Sequence, residues 1–164
     1  MRTITKTLLY LQMAAMLVTA ALADPAASTK GIPFRGSLAG DESYEIQFPL
    51  LLINGSGTGN ATHLGHFTAT WDREGSLIDG SLIASYHFIA ANGDSLFIES
   101  IGQADNTLSP DIHVLEICTI TGGTGRFAGA TGSFTLERVV VLTDPGSDTT
   151  SHSFNGTIVM AKGK

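Results

Sequence analysis

The chain has 164 residues, with nine basic against fifteen acidic side chains and a single cysteine. That length fits one domain able to stand on its own core. The acidic balance excludes nucleic acid and anionic membrane surfaces, which need a basic footprint; the lone Cys118 excludes an intramolecular disulfide.

Residues 1–23 read as a secretory signal peptide. Arg2 and Lys6 give a short basic start, Leu8 to Ala21 is apolar, and Ala21-Leu22-Ala23 is a small-x-small cleavage pattern before Asp24. The apolar run is shorter than the ~20 residues a membrane span needs. The expected product is therefore exported, periplasmic or extracellular, with no membrane partner after cleavage. Without Arg2 and Lys6, seven basic residues face fifteen acidic ones, a formal charge of −8. Residues 24–31 read as a mobile leader, and 32–161 as one β domain.

Eight strand-like runs follow, at 32–38, 44–53, 62–71, 81–91, 95–104, 112–121, 133–143 and 151–160, punctuated by Gly, Asn and Asp. That spacing predicts an all-β antiparallel sandwich or closed barrel. Ala91-Asn92-Gly93-Asp94 predicts a two-residue hairpin turn with both central residues at positive φ. Asp144-Pro145-Gly146-Ser147-Asp148 predicts another turn, and Ser109-Pro110-Asp111 ends a third connection. Cys118, inside E-I-C-T-I, reads as a packed core thiol, because a reactive one needs a cationic, partly open setting.

Thr121 to Phe134 carries five glycines, Gly122, Gly123, Gly125, Gly129 and Gly132. A phosphate cradle would need a helix after them and, in a P-loop, a lysine. Ser133 to Val141 is instead rich in β-branched residues and reads as a strand. The glycines are therefore read as permitting a sharp, close-packed crossing between two strands. G-G-T-G-R-F-A-G-A-T-G at 122–132 resembles the G-G-T-G-x-F-x-x-A-x-G segment of the allene oxide cyclase and dirigent barrel superfamily. Gly59 to Phe67 and Ala91 to Asp94 are similar to segments of exported bacterial proteins of this barrel type. Over residues 32–161 the resemblance implies a closed eight-stranded antiparallel barrel, often trimeric, with an apolar cavity. It implies no activity: some members are cyclases that make a jasmonate precursor, and dirigent proteins steer radical coupling. Tyr44-Glu45-Ile46 resembles the strand that carries an acidic residue in the cyclases, but three residues are too few to transfer the role.

Simple hairpins centred on the predicted turns pair Tyr86 with Glu99, Glu99 with Glu116, Glu116 with Arg138, and Arg138 with Gly156, which would leave room for the arginine. All of these share a face with Phe88, Phe97, Ile101, Val114, Cys118, Phe134, Leu136 and Phe154, the bulkier face and so the expected interior. The expected site is a polar row, Tyr86–Glu99–Glu116–Arg138, across an apolar tube. Its alternatives are a satisfied structural network or an acid–base pair, with Glu116 ionised beside Arg138 and Glu99 protonated beside Tyr86. The opposite face, with His87, Ser100, His113, Leu115 and Val139, is apolar enough to predict a homo-oligomer, dimer or trimer.

His63 and His66 stand three apart and so on opposite strand faces, which argues against a metal site; no cofactor is expected. The leading expectation is a binding barrel for a small apolar molecule, with Tyr86, Phe97, Cys118 and His66 as contacts. The rivals are a cyclase or isomerase using Glu99, Glu116 and Arg138, and a non-catalytic oligomeric interaction protein.

Overall fold

The computed structural model describes residues 30–105, 111–144 and 147–161. Eight strands follow in chain order and close into one antiparallel barrel: β1 Ile32–Gln47, β2 Leu50–Ala61, β3 Gly65–Ser76, β4 Ser81–Ala90, β5 Ser95–Ala104, β6 Asp111–Gly123, β7 Thr131–Asp144 and β8 Ser147–Val159. Closure comes from β8 pairing back onto β1, where Phe34 faces Gly156. Residues 1–29, Ser109-Pro110 and Pro145-Gly146 lie outside the described residues, and with them the expected signal peptide and two of the expected turns.

Period-two patterning builds the wall. In β3, Phe67, Ala69, Trp71 and Arg73 are buried, while Thr68, Thr70, Asp72 and Glu74 between them are exposed. Two expected runs are redrawn. β1 continues unbroken to Gln47, and the run 44–53 straddles the Phe48-Pro49 hairpin. Gly40 does not end a strand; a Cβ there would collide with the Ser56 carbonyl of β2, so this glycine marks a close approach of two backbones.

The β4–β5 hairpin is one loop residue longer than expected, and of its two expected positive-φ residues only Gly93 has one. Gly93 N–H donates to the Ala90 carbonyl and Ala90 N–H to the Asp94 carbonyl, both at 2.9 Å, around a three-residue loop with Gly93 at φ +87°. One extra loop residue moves the register by one: Tyr86 faces Ile98, not Glu99. The β5–β6 pairing, with a bulge between Phe97 and Ile98, sets Gly102 rather than Glu99 opposite Glu116. Both displacements are odd, so they cancel, and β5 alone is turned over. Leu96, Ile98 and Ser100 point inward; Phe97, Glu99 and Ile101 point outward. In the later hairpins the displacements are even. Val114 faces Arg138 and Arg138 faces His152, and every face assignment there survives. Gly156 sits against Phe34 and Phe134, not Arg138; a Cβ on it would lie 2.5 Å from that of Phe134.

Three layers fill the tube. At one end Phe34, Phe67, Phe88, Phe134 and Phe154 stack with centroid separations of 4.7–6.5 Å. The glycine-rich segment seals that end. It holds one 3-10 turn, Gly125–Phe127, before β7, with Gly122, Gly125, Gly129 and Gly132 at positive φ and Phe127 and Ala130 fully buried. Gly123 is packed too tightly for a Cβ, which would lie 2.6 Å from that of Phe127. Polar side chains form the middle layer, and the far end opens as a mouth.

Candidate functional site

Six strands each send a polar side chain into the middle layer. Glu42 comes from β1, Arg73 from β3, Tyr86 from β4, Ser100 from β5, Glu116 from β6 and Arg138 from β7, and all are buried. Glu42 binds both guanidinium groups: Arg73 Nη1 donates to its Oε2 at 2.6 Å and Arg138 Nη1 to its Oε1 at 2.7 Å. Trp71 Nε1 donates to the same Oε2 at 3.2 Å. On the other side, Tyr86 Oη and Ser100 Oγ donate to Glu116 Oε2 at 2.7 and 2.6 Å. Arg73 Nη2 donates to Tyr86 Oη at 3.0 Å, which links the two carboxylates.

Two arginines and two glutamates thus alternate around a closed quartet with no net charge. Its contacts are unequal. The Nε atoms of Arg73 and Arg138 lie 3.6 and 3.7 Å from Glu116 Oε1, beyond hydrogen-bond reach, and all three atoms are buried without a hydrogen-bond partner. Small residues make the room: a Cβ on Gly102 would lie 2.7 Å from Glu116 Cγ, and one on Gly55 would lie 2.5 Å from the Trp71 ring.

Burial works against the charge on Arg73, but Tyr86, Glu116 and Glu42 more than offset it, and its pKa rises. Arg138 goes the other way, because burial and then repulsion from Arg73 outweigh its acidic neighbours. Burial lifts the Tyr86 phenol well above its ordinary value, which keeps it a proton donor. His152 of β8 stacks on Trp71 at 5.1 Å, and its Nε2 meets Thr150 Oγ1 at 3.0 Å. Burial, then Arg73 and Arg138, press its pKa well below the ordinary histidine value.

The mouth holds a cavity of about 480 Å³. Leu51, Ile53, Leu82, Val114, Val140 and Leu142 form much of its wall, and Glu42 and Arg138 reach it from the polar layer. This combination, an apolar wall with a few convergent polar groups, is what a small-molecule site requires.

The residues expected from the sequence are divided by the register. Tyr86, Glu116 and Arg138 come together inside. Glu99 does not: it is exposed, opposite Ser85 and Thr119. Phe97 lies outside against His87, with centroids 5.0 Å apart, and His66 is exposed opposite Asn60 because Phe67, Ala69 and Trp71 hold the inward face of β3. Cys118 is fully buried, and burial raises its thiol pKa. None of Tyr86, Phe97, Cys118 and His66 borders the mouth cavity. Glu42, Arg73, Ser100 and His152 were not anticipated. Arg73 carried a signal, since it continues the alternation Phe67, Ala69, Trp71; Glu42 likewise continues Phe34, Leu38. Among the described residues, no three His, Cys, Asp or Glu side chains gather as metal ligands.

Comparison with protein-family models, with curated proteins and with solved structures finds no match.

Proposed function

We propose that this barrel is an exported binding protein that holds a small, largely apolar molecule in its mouth without turning it over. One observation carries the reading: a cavity of about 480 Å³, open at one end, whose apolar walls end on the Glu42–Arg138 pair. A ligand with an apolar body and one hydrogen-bonding group fits that division. Export rests on the basic, apolar and small-residue pattern of residues 1–23. Assignment to the allene oxide cyclase and dirigent type rests on the glycine segment at 122–132, which here joins β6 to β7. The acid–base alternative lacks its acid, because Glu99 faces outward, and Glu116 does not border the cavity.

Native mass spectrometry of the exported protein tests the reading. A retained small molecule of a few hundred daltons, lost from a Val140→Trp variant that fills the mouth, supports it. An empty barrel that also fails to take up an apolar fluorescent probe overturns it.

A second reading, self-association, is supported by the outer wall. Ile83, Ile101 and Ile117 stand directly opposite one another across β4, β5 and β6 and are 57%, 63% and 58% exposed. A contiguous apolar row of this kind is a common interface core. The same spectrum reports subunit number, and Ile101→Lys should return any oligomer to monomer.

A further inference from the structure

The two ends of the barrel differ in kind. The plugged end presents the exposed cations Lys30, Arg35 and Arg126. The mouth end presents apolar tips. Phe48, at the β1–β2 hairpin, is 79% exposed, and Ile78, at the β3–β4 hairpin, is 72% exposed. Ile46, Leu77 and Leu142 stand exposed beside them. Leu77, Ile78 and Leu142 line the mouth cavity, whose wall is largely apolar, and Ile46 and Phe48 stand at the same end of the barrel, at the β1–β2 hairpin. Exposed carboxylates stand at the same end at Glu45, Glu74 and Asp79, and no exposed lysine or arginine stands there among the described residues.

We propose that the mouth collar docks on a neutral phospholipid surface, dipping Phe48 and Ile78 below the headgroups. Large apolar tips at loop ends insert shallowly, as the apolar face of an interfacial helix does. The charge selects the lipid. An acidic collar is repelled by an anionic surface, whereas the outermost group of a choline or ethanolamine phospholipid is a cationic ammonium. This departs from the expectation of no membrane partner, since acidity excludes only the anionic surfaces. The proposal stands whether or not a ligand fills the cavity; docking would also place the opening where apolar molecules reside.

The chain from Asp24 onward is the material for the test, because all eight strands and the plug lie within 32–159. It also removes the apolar run at Leu8 to Ala21, which would bind lipid by itself. An environment-sensitive dye is attached at Phe48→Cys, Ile78→Cys or, as a control on the wall, Ile101→Cys. The native Cys118 is buried and does not compete for the dye. With phosphatidylcholine vesicles, the dye at 48 and 78 should shift to the blue and the dye at 101 should not. Adding phosphatidylglycerol should weaken the effect. In unlabelled protein, Phe48→Ser with Ile78→Ser should lower vesicle binding about ten-fold or more, while Ile32→Ser, at the plugged end, leaves it near wild type. No response at 48 and 78, an equal response at 101, or a requirement for anionic lipid would overturn the proposal. So would a blue shift that rises with protein concentration in the absence of vesicles, which would mean a second copy covers the collar.

Discussion

Removing the charge of Glu42 while keeping its shape tests whether the quartet holds the barrel together. In Glu42→Gln, two buried guanidinium groups face one carboxylate, Glu116, whose contacts to their Nε atoms are 3.6 and 3.7 Å. The lost partner is the one both arginines touch most closely, at 2.6 and 2.7 Å. Breaking one member of a buried ion pair costs about 3–5 kcal/mol, because the remaining charge stays desolvated. For a barrel of this size that corresponds to roughly 10–20 °C in melting temperature. Urea unfolding with an unchanged m-value measures it, and Glu45→Gln, exposed on the same strand, should stay within about 0.5 kcal/mol of wild type. Adding Arg138→Gln restores neutrality, so the double variant should cost clearly less than the sum of its parts. A single-variant cost below about 1 kcal/mol, or effects that add within about 0.5 kcal/mol, would refute a coupled quartet.

Glu99→Gln should leave stability within about 0.5 kcal/mol and probe binding unchanged, as an outward side chain predicts; a lost binding signal in the same titration would contradict the register. Phe127→Ala should cost about 3–5 kcal/mol in urea unfolding by opening the plugged end, yet leave probe affinity at the far mouth intact. His152 gives a pH signature. The unfolded chain takes up its proton below the ordinary histidine value of 6.5, and the folded chain, where the pKa is well below that, does not. The imidazole therefore leaves stability untouched above that value and lowers it as pH falls beneath it, by up to about 1.4 kcal/mol per pH unit. Urea midpoints compared between about pH 7 and about pH 5 should fall less steeply in His152→Gln than in wild type; parallel slopes would show that His152 is not the group involved.

Strand number, antiparallel order and the closed alternative were legible because they rest on period-two patterning and on glycine and asparagine at turns. Strand count and order do not change when a strand's ends are misplaced by one or two residues. Loop parity was not legible. Ala91-Asn92-Gly93-Asp94 suits a two-residue turn on composition, but Gly93 closes a three-residue loop, and nothing in those four letters separates the two. One residue of loop decides which half of a strand is inside, so a two-residue turn puts Glu99, Phe97 and Ile101 in the interior and Ser100 outside. The damage stopped at β5 because the next connection carried a compensating odd displacement.

The site was half visible for a different reason. The expected polar row runs from β4 to β8, where hairpins are consecutive, and Tyr86, Glu116 and Arg138 are its members that lie inside. Glu42 and Arg73 come from β1 and β3, and only closure of β8 onto β1 brings Glu42 within 2.7 Å of Arg138, 96 positions away in the chain. No hairpin between neighbouring strands makes that contact; the cost of leaving a buried charge uncompensated calls for it. A buried Glu116 with a single arginine would already be neutral, but Arg138 and Arg73 both lie closer to Glu42, at 2.7 and 2.6 Å, than to Glu116, at 3.7 and 3.6 Å. The second carboxylate then calls for a second cation, and Arg73 answers it from the inward face of β3. Because the resulting quartet has no net charge, it can close the floor of an apolar mouth and still offer both a donor and an acceptor there. A hydroxyl, amide or ester on an otherwise apolar ligand can meet that floor without bringing a counter-charge. A permanently ionised ligand would unbalance the layer, and its affinity should trail that of a neutral analogue of the same size.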